Sequence, residues 1–162
     1  MKYFVIIVVV LVISSCSYSV YSSGYPHLKT IMIQPFINNS TNYELDEIVF
    51  NSLSDYFNND GRLKIVGLSP DCQLEGEILD YSNNIITYEG ADVDEYEVRI
   101  LFKVVFSDLK KNNVIWQNNT IALSETYSSV STTSNYSTEE EAQKKIIKDL
   151  FDMILRESLE EW

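Results

Sequence analysis

From Tyr96 to Ser107 the chain alternates with period two. Tyr96, Val98, Ile100, Phe102, Val104 and Phe106 fall on one side, and Glu97, Arg99, Leu101, Lys103, Val105 and Ser107 on the other. That period predicts a long strand with one buried face. Asp108 to Asn113 reads as a turn and Val114 to Leu123 as the next strand, antiparallel because the connection is short. Upstream, Gln73 to Tyr81 reads as another strand, with Leu74, Gly76 and Ile78 on one face, and Leu63 to Val66 as a short one. Lys29 to Phe36, with Ile31 and Ile33, reads as a first strand closed by Pro35, which has no N–H for a ladder.

Two segments carry the helical period instead. Leu45, Ile48, Val49, Leu53, Tyr56 and Phe57 form one apolar stripe on a helix of about four turns. Thr41 and Glu44 have the spacing of a capping box before it, and Gly61 suits the left-handed position after it. Ile146, Ile147, Leu150, Phe151, Ile154 and Leu155 give a broad apolar face to a second helix running almost to Trp162. Ser137 to Glu140 is its capping box, and Glu139 to Glu141 sit at the positive end of the helix dipole. The order β-α-β-β-β-β-α predicts an α+β fold: two helices packed on one face of a mainly antiparallel sheet of four to five strands. Asn83 to Asp94 and Ser124 to Ser137 read as loops, the second rich in hydroxyls and charged only at Glu125.

The N-terminus changes the picture from a plain globular domain. Lys2 precedes an unbroken apolar run from Tyr3 to Ile13. It is about half the ~20 residues a spanning helix needs, so it reads as the core of a signal peptide. Ser14-Ser15-Cys16 follows, which resembles the lipobox of bacterial lipoproteins. The resemblance implies cleavage before Cys16, acylation of that cysteine and, with Ser17 rather than Asp next to it, residence in the outer membrane with the domain facing the periplasm. Several acyl chains on one residue hold a protein stably without a transmembrane helix. The expected organisation is a signal peptide at 1–15, a lipidated Cys16 with a Ser/Tyr-rich tether at 16–28, and a single domain at 29–162.

Composition narrows the function. The net charge of −12 argues against nucleic acid and against simple attraction to anionic lipid. Of the two cysteines, acylation removes Cys16, so Cys72 has no disulfide partner and reads as a small buried apolar residue. The single histidine, His27, cannot by itself build a zinc site or a catalytic triad. No nucleophile elbow and no phosphate-cradling glycine loop is present. Asp92-Val93-Asp94-Glu95 reads as a solvated acidic loop, because the glycine of a calcium loop is not at its required place. The sequence therefore points to a binding or assembly protein with no cofactor and no catalytic residue.

Several short pieces then fall in order behind the lipobox. They are Cys16-Ser17-Tyr18-Ser19-Val20, Pro26 to Ile33, Phe36 to Ser40, Asp60 to Leu63, Asp71 to Ile78, Tyr81-Ser82, Glu95 to Val98, Asp108-Leu109-Lys110 and Val114-Ile115-Trp116. Together they resemble the lipopolysaccharide-assembly lipoprotein family LptE, over nearly the whole span from Cys16 to Trp162. The resemblance implies a plug inside a large outer-membrane β-barrel of the LptD type, helping the barrel fold and placing lipopolysaccharide in the outer leaflet. It implies no chemical step. Polar hydroxyl and amide side chains suit a barrel lumen, which makes Tyr127, Ser128, Ser129, Thr132, Thr133, Asn135 and Tyr136 the candidate partner contacts, with the Asn83 to Asp94 loop beside them. Direct lipopolysaccharide contact is opposed by charge. Neither Tyr81 to Glu95 nor Ser124 to Gln143 holds a Lys or Arg. An Ile-x-Ile-x-x-Phe-x-Asn strand after a tether also resembles lipoproteins that activate cell-wall synthases or serve secretion pores, and this is the alternative.

Overall fold

The computed structural model describes residues 24–89, 92–129 and 134–160. The alternation around Phe102 produces its central strand. Strand β5 (Asp92–Asp108) pairs antiparallel with β4 (Cys72–Glu89) on one side and β6 (Asn113–Tyr127) on the other. Val98, Ile100, Phe102, Val104 and Phe106 are all fully buried. Beyond β4 lie short parallel strands: β1 (Thr30–Ile33), β2 (Ile37–Asn38) and β3 (Lys64–Ile65). The order across the sheet is β3-β1-β4-β5-β6, with β2 also paired to β4. Helix α1 (Leu45–Asp60) makes the crossover that parallel pairing of β1 and β3 requires. Helix α2 (Glu139–Leu159) packs on β6, β5 and α1. The result is the expected α+β arrangement of two helices and a mostly antiparallel open sheet.

Several expectations need correction. The first strand is two: its ladder to β4 stops at Ile33 and resumes at Ile37, around Pro35. The short strand expected over Leu63 to Val66 is only Lys64–Ile65. The loop expected from Asn83 to Asp94 is instead a pair of strand arms, with Asn83 opposite Val98 and Ile85 opposite Tyr96. Cross-strand pairing overrides the low strand propensity of Asn83-Asn84. Register shifts at Ile78/Asp80, Ile85/Thr87 and Thr87/Tyr88 hide the period of two. The acidic run Asp92 to Glu95 accordingly belongs to β5 rather than to a loop. Ser124 to Tyr127 likewise extends β6, opposite Arg99 to Tyr96.

The capping box expected at Thr41 is not formed. Glu44 occupies the cap position of α1 without a side-chain bond, because Asn38, Ser40 and Asn42 tie the preceding turn together. Gly61 does take the left-handed conformation, at φ 73°, and its N–H bonds the Phe57 carbonyl. At α2 the box is one residue later than expected. Thr138 accepts from the Glu141 N–H at 3.2 Å, and Glu141 reaches back to the Ser137 N–H at 2.8 Å.

The core is continuous from Leu28 to Leu159, and the apolar face of α2 lies in it from Ala142 onward. Cys72 is free and fully buried there, and burial pushes its thiol up to about 12, which makes it inert at neutral pH. Gly76 lies opposite Val104 on the core side of β4, and a Cβ there would sit 2.2 Å from the Phe36 ring. Among the described residues no helix is long and apolar enough to cross a membrane.

Candidate partner surface

Polar clusters lie at two opposite ends of the sheet. At one, the start of the described chain is latched onto the β5–β6 turn. His27 Nε2 lies 2.6 Å from Asp108 Oδ2, and the Asp108 side chain is 1% exposed. Lys110 Nζ lies 2.8 Å from Asp71 Oδ1, while Asp71 Oδ2 accepts from the backbone N–H groups of Lys29 and Thr30. The Leu109 N–H bonds the Asp71 carbonyl, and the Gly24 N–H bonds the carbonyl of Leu159. The lone histidine is thus part of the clamp that holds the start of the described chain against the β5–β6 turn.

Electrostatics follows from this geometry. The Lys110 ammonium and then the Lys29 amide hold the Asp71 carboxyl down at about 2. Burial pushes Asp108 up, but His27 and the Lys111 amide outweigh it and hold this carboxyl below its usual range. The stabilisation from Asp71 is complete above its unfolded pKa of about 3.9 and is lost as pH falls toward its folded value. Lys110→Met removes the largest cause, so the acid transition followed by near-ultraviolet circular dichroism is expected to move to higher pH. An unmoved transition would show that Lys110 does not hold Asp71.

At the opposite pole a polar network ties the sheet to the N-terminus of α2. The Tyr81 hydroxyl donates to Glu139, and Gln143 Nε2 donates to both, at 3.0 and 3.1 Å. Asn83 Nδ2 donates to Glu139 Oε2 and to the Tyr127 hydroxyl, each at 2.9 Å. Tyr127 stacks on Tyr96 with ring centroids 5.1 Å apart. Burial, and then Glu139, pushes the Tyr81 hydroxyl up to about 12, so it stays a donor. Ser134 Oγ donates to Glu95 at 2.7 Å, and the Ser128 N–H bonds the Tyr136 carbonyl.

This pole collects the candidate contacts unequally. Tyr127 is half-buried and holds the network. Ser128 is 3% exposed, whereas Ser129 and Asn135 are exposed. Thr132 and Thr133 lie outside the described residues, as does Cys16. The sequence placed Asn83 beside this surface as part of a loop but missed Tyr81, Glu139 and Gln143, and no local signal could have found partners 56 to 62 positions apart.

The charge argument also changes. Asn135 and Tyr136 border an open groove of about 420 Å³ whose other walls are Tyr56, Glu141, Lys144, Lys145 and Lys148. The fold thus brings three lysines to a loop that has none in its own sequence. Each lysine is paired on its own helix, Lys144 with Glu140, Lys145 with Asp149 and Lys148 with Asp152, so the groove is mixed rather than basic. Among the described residues no group of three His, Cys, Asp or Glu side chains could hold a metal ion. What this pole can do is present a rigidly backed polar surface.

Comparison with known proteins places the fold. The sequence profile of the family described as LptE, lipopolysaccharide-assembly, matches residues 28–158. No curated protein sequence matches the chain significantly. Among solved structures it is similar to a protein from Xanthomonas campestris, at 10% identity and a TM-score of 0.57, covering 80% of this chain and 85% of that one. It is also similar to lipoprotein B from Nitrosomonas europaea, at 15% identity and a TM-score of 0.55, covering 87% and 89%. A third is PelC from Paraburkholderia phytofirmans, a dodecamer, at 13% identity and a TM-score of 0.51, covering 82% and 89%. At these identities the structural likeness is one of fold.

Proposed function

Because the chain belongs to the lipopolysaccharide-assembly family LptE, matched over residues 28–158, we propose that it is a non-enzymatic lipoprotein that plugs and helps assemble an LptD-type β-barrel. The barrel then inserts lipopolysaccharide into the outer leaflet. In this reading Cys16 carries the lipid on the periplasmic side of the outer membrane, and the activity is binding and positioning. The family match is the observation that carries it.

The two poles give the proposal a direction. His27 is latched to Asp108 at the Cys72 end of β4, so in this reading the lipid on Cys16 lies toward that end. Ile85, which pairs with Tyr96 opposite Tyr127, lies roughly 40 Å away along β4 at about 3.3 Å per residue. The pole bearing Tyr127, Ser129, Asn135 and Tyr136 therefore stands far from the lipid, where a lumen-filling plug would meet its partner. Thr132 and Thr133 belong to the same proposed surface, and Ser128 supports it from beneath. Cations available to lipopolysaccharide near this pole are Lys144, Lys145 and Lys148 in the groove at Tyr136, and exposed Arg99 opposite Ser124.

The test is a tagged pull-down of the whole lipidated chain from detergent-solubilised outer membranes, with partners identified by mass. A stoichiometric large β-barrel is expected, and deletion of Ser128 to Asn135 is expected to reduce its recovery at least several-fold. Recovery of a cell-wall synthase and no barrel would overturn the reading in favour of the alternative. Cys16→Ala is expected to move the protein out of the membrane fraction, because no acyl chain is then attached. A variant that still sediments with the outer membrane would remove the lipid anchor from the proposal.

A further inference from the structure

Strand β6 ends the sheet. One side is laddered to β5, and among the described residues no strand pairs with the other side. From Ile121 to Tyr127 its pairing with Phe102 to Tyr96 runs without a register shift; the irregularities lie earlier, opposite Phe102/Val104 and Phe106/Ser107. Just before this stretch the Thr120 N–H is taken by Asn118 Oδ1 at 3.0 Å, which marks where the open edge begins. Along the regular stretch about every second residue turns its N–H and C=O away from β5.

Proteins usually blunt such an edge with lysine, proline, a bulge or a covering element. Ile121 to Tyr127 contains no Lys, Arg or Pro and one charged residue, Glu125, while Ala122 and Ser124 are small and exposed. Strand β3, at the other end of the sheet, is two residues long and includes Lys64. The β4 arm starts at a register shift between Ile78 and Asp80, runs regularly only from Asp80 to Ile85, and is broken again at Ile85/Thr87 and Thr87/Tyr88, so Ile121 to Tyr127 is the longer regular edge. The regular edge of β6 also leads directly into the polar pole at Ser128.

We propose that the Ile121–Tyr127 edge accepts an extended segment of the β-barrel partner as an added strand, an inference that rests on the function proposed above. Main-chain hydrogen bonds would supply the contact, as in other strand-addition complexes. The segment must come from a loop or terminal extension of the barrel protein, because a closed barrel leaves no free edge of its own. It is uncharged or basic, since Glu125 and the net charge of −12 repel an acidic one. The same charge opposes a second copy of this chain. Side chains on its helix side would continue the row of Ile121, Leu123, Glu125 and Tyr127, opposite Phe102, Ile100, Val98 and Tyr96, so they would be apolar except for a basic or polar one beside Glu125. Small polar ones would lie beside Ala122, Ser124 and Thr126.

The test uses the whole lipidated chain in cells. A photo-crosslinking residue at Ser124 is expected to trap the barrel protein at least ten-fold more efficiently than one at Arg99 of the neighbouring β5. The double variant Ala122→Lys, Ser124→Lys is expected to lower barrel recovery at least five-fold with an unchanged thermal midpoint. If the double variant melts early, the crosslinking yield alone decides. Undiminished recovery by a stably folded double variant, or equal crosslinking at Ser124 and Arg99, overturns the edge assignment while leaving the plug reading intact. A Ser124 crosslink to a second copy overturns it in favour of self-pairing. Failure of the unmodified chain to recover any barrel overturns the function itself and this inference with it.

Discussion

Gly76→Ala is expected to destabilise the domain by about 3 kcal/mol, the upper part of the range for overpacking a core. The added Cβ would stand 2.2, 2.3 and 2.6 Å from three atoms of the Phe36 ring, far inside van der Waals contact. The ring cannot swing into solvent without cost, since Phe36 is 3% exposed and sits among buried residues. Native domains are stable by only about 5–15 kcal/mol, so the loss is a large fraction of the whole. Urea denaturation measures it. The cause is checked by a double-mutant cycle: Phe36→Ala alone should cost about 3–5 kcal/mol, and the double variant should cost clearly less than the two single losses together. Additive losses would mean that the clash with Phe36 is not the reason Gly76 is there.

The second large effect is expected at the junction of the two helices. Phe57 on α1 is fully buried and meets Phe151 on α2 edge to face, with centroids 5.0 Å apart and planes at 89°. Tyr56 also packs on Phe151, with centroids 5.5 Å apart. Phe57→Ala removes a buried ring and leaves a cavity, which costs about 3–5 kcal/mol. The aromatic pair adds roughly 0.5–1.5 kcal/mol beyond burial, readable as the coupling between Phe57→Ala and Phe151→Ala. Because α2 also carries Glu139 and Gln143, loosening it should weaken the network that holds Tyr81, Asn83 and Tyr127. Amide hydrogen exchange across β6 should therefore accelerate in the Phe57→Ala variant. Unchanged exchange at Thr126 and Tyr127 would show that this pole is independent of the helix junction.

The sequence by itself determined whatever depends on periodicity and on single residues. Strict alternation placed Val98 to Phe106 on the core face of a strand, and the helical stripes placed Leu45 to Phe57 and Ile146 to Leu155 inside. Gly61 ended α1 because only a residue free of a Cβ takes a left-handed backbone at no steric cost. A buried, free Cys72 was legible once the lipobox resemblance had set Cys16 aside, and the ordered pieces from Pro26 to Trp116 carried the family. The tertiary structure decided what depends on distant partners. The arms of β4 and β5 persist through Asn83-Asn84 because each residue gains an opposite neighbour, which no local propensity contains. His27 becomes a latch because folding sets it against Asp108, 81 positions away. The hydroxyl-rich loop gains lysines only because Asn135 and Tyr136 lie against α2. Hydrophobic period is a local property and survives in one dimension, whereas polar networks and open edges exist only once the chain has closed on itself.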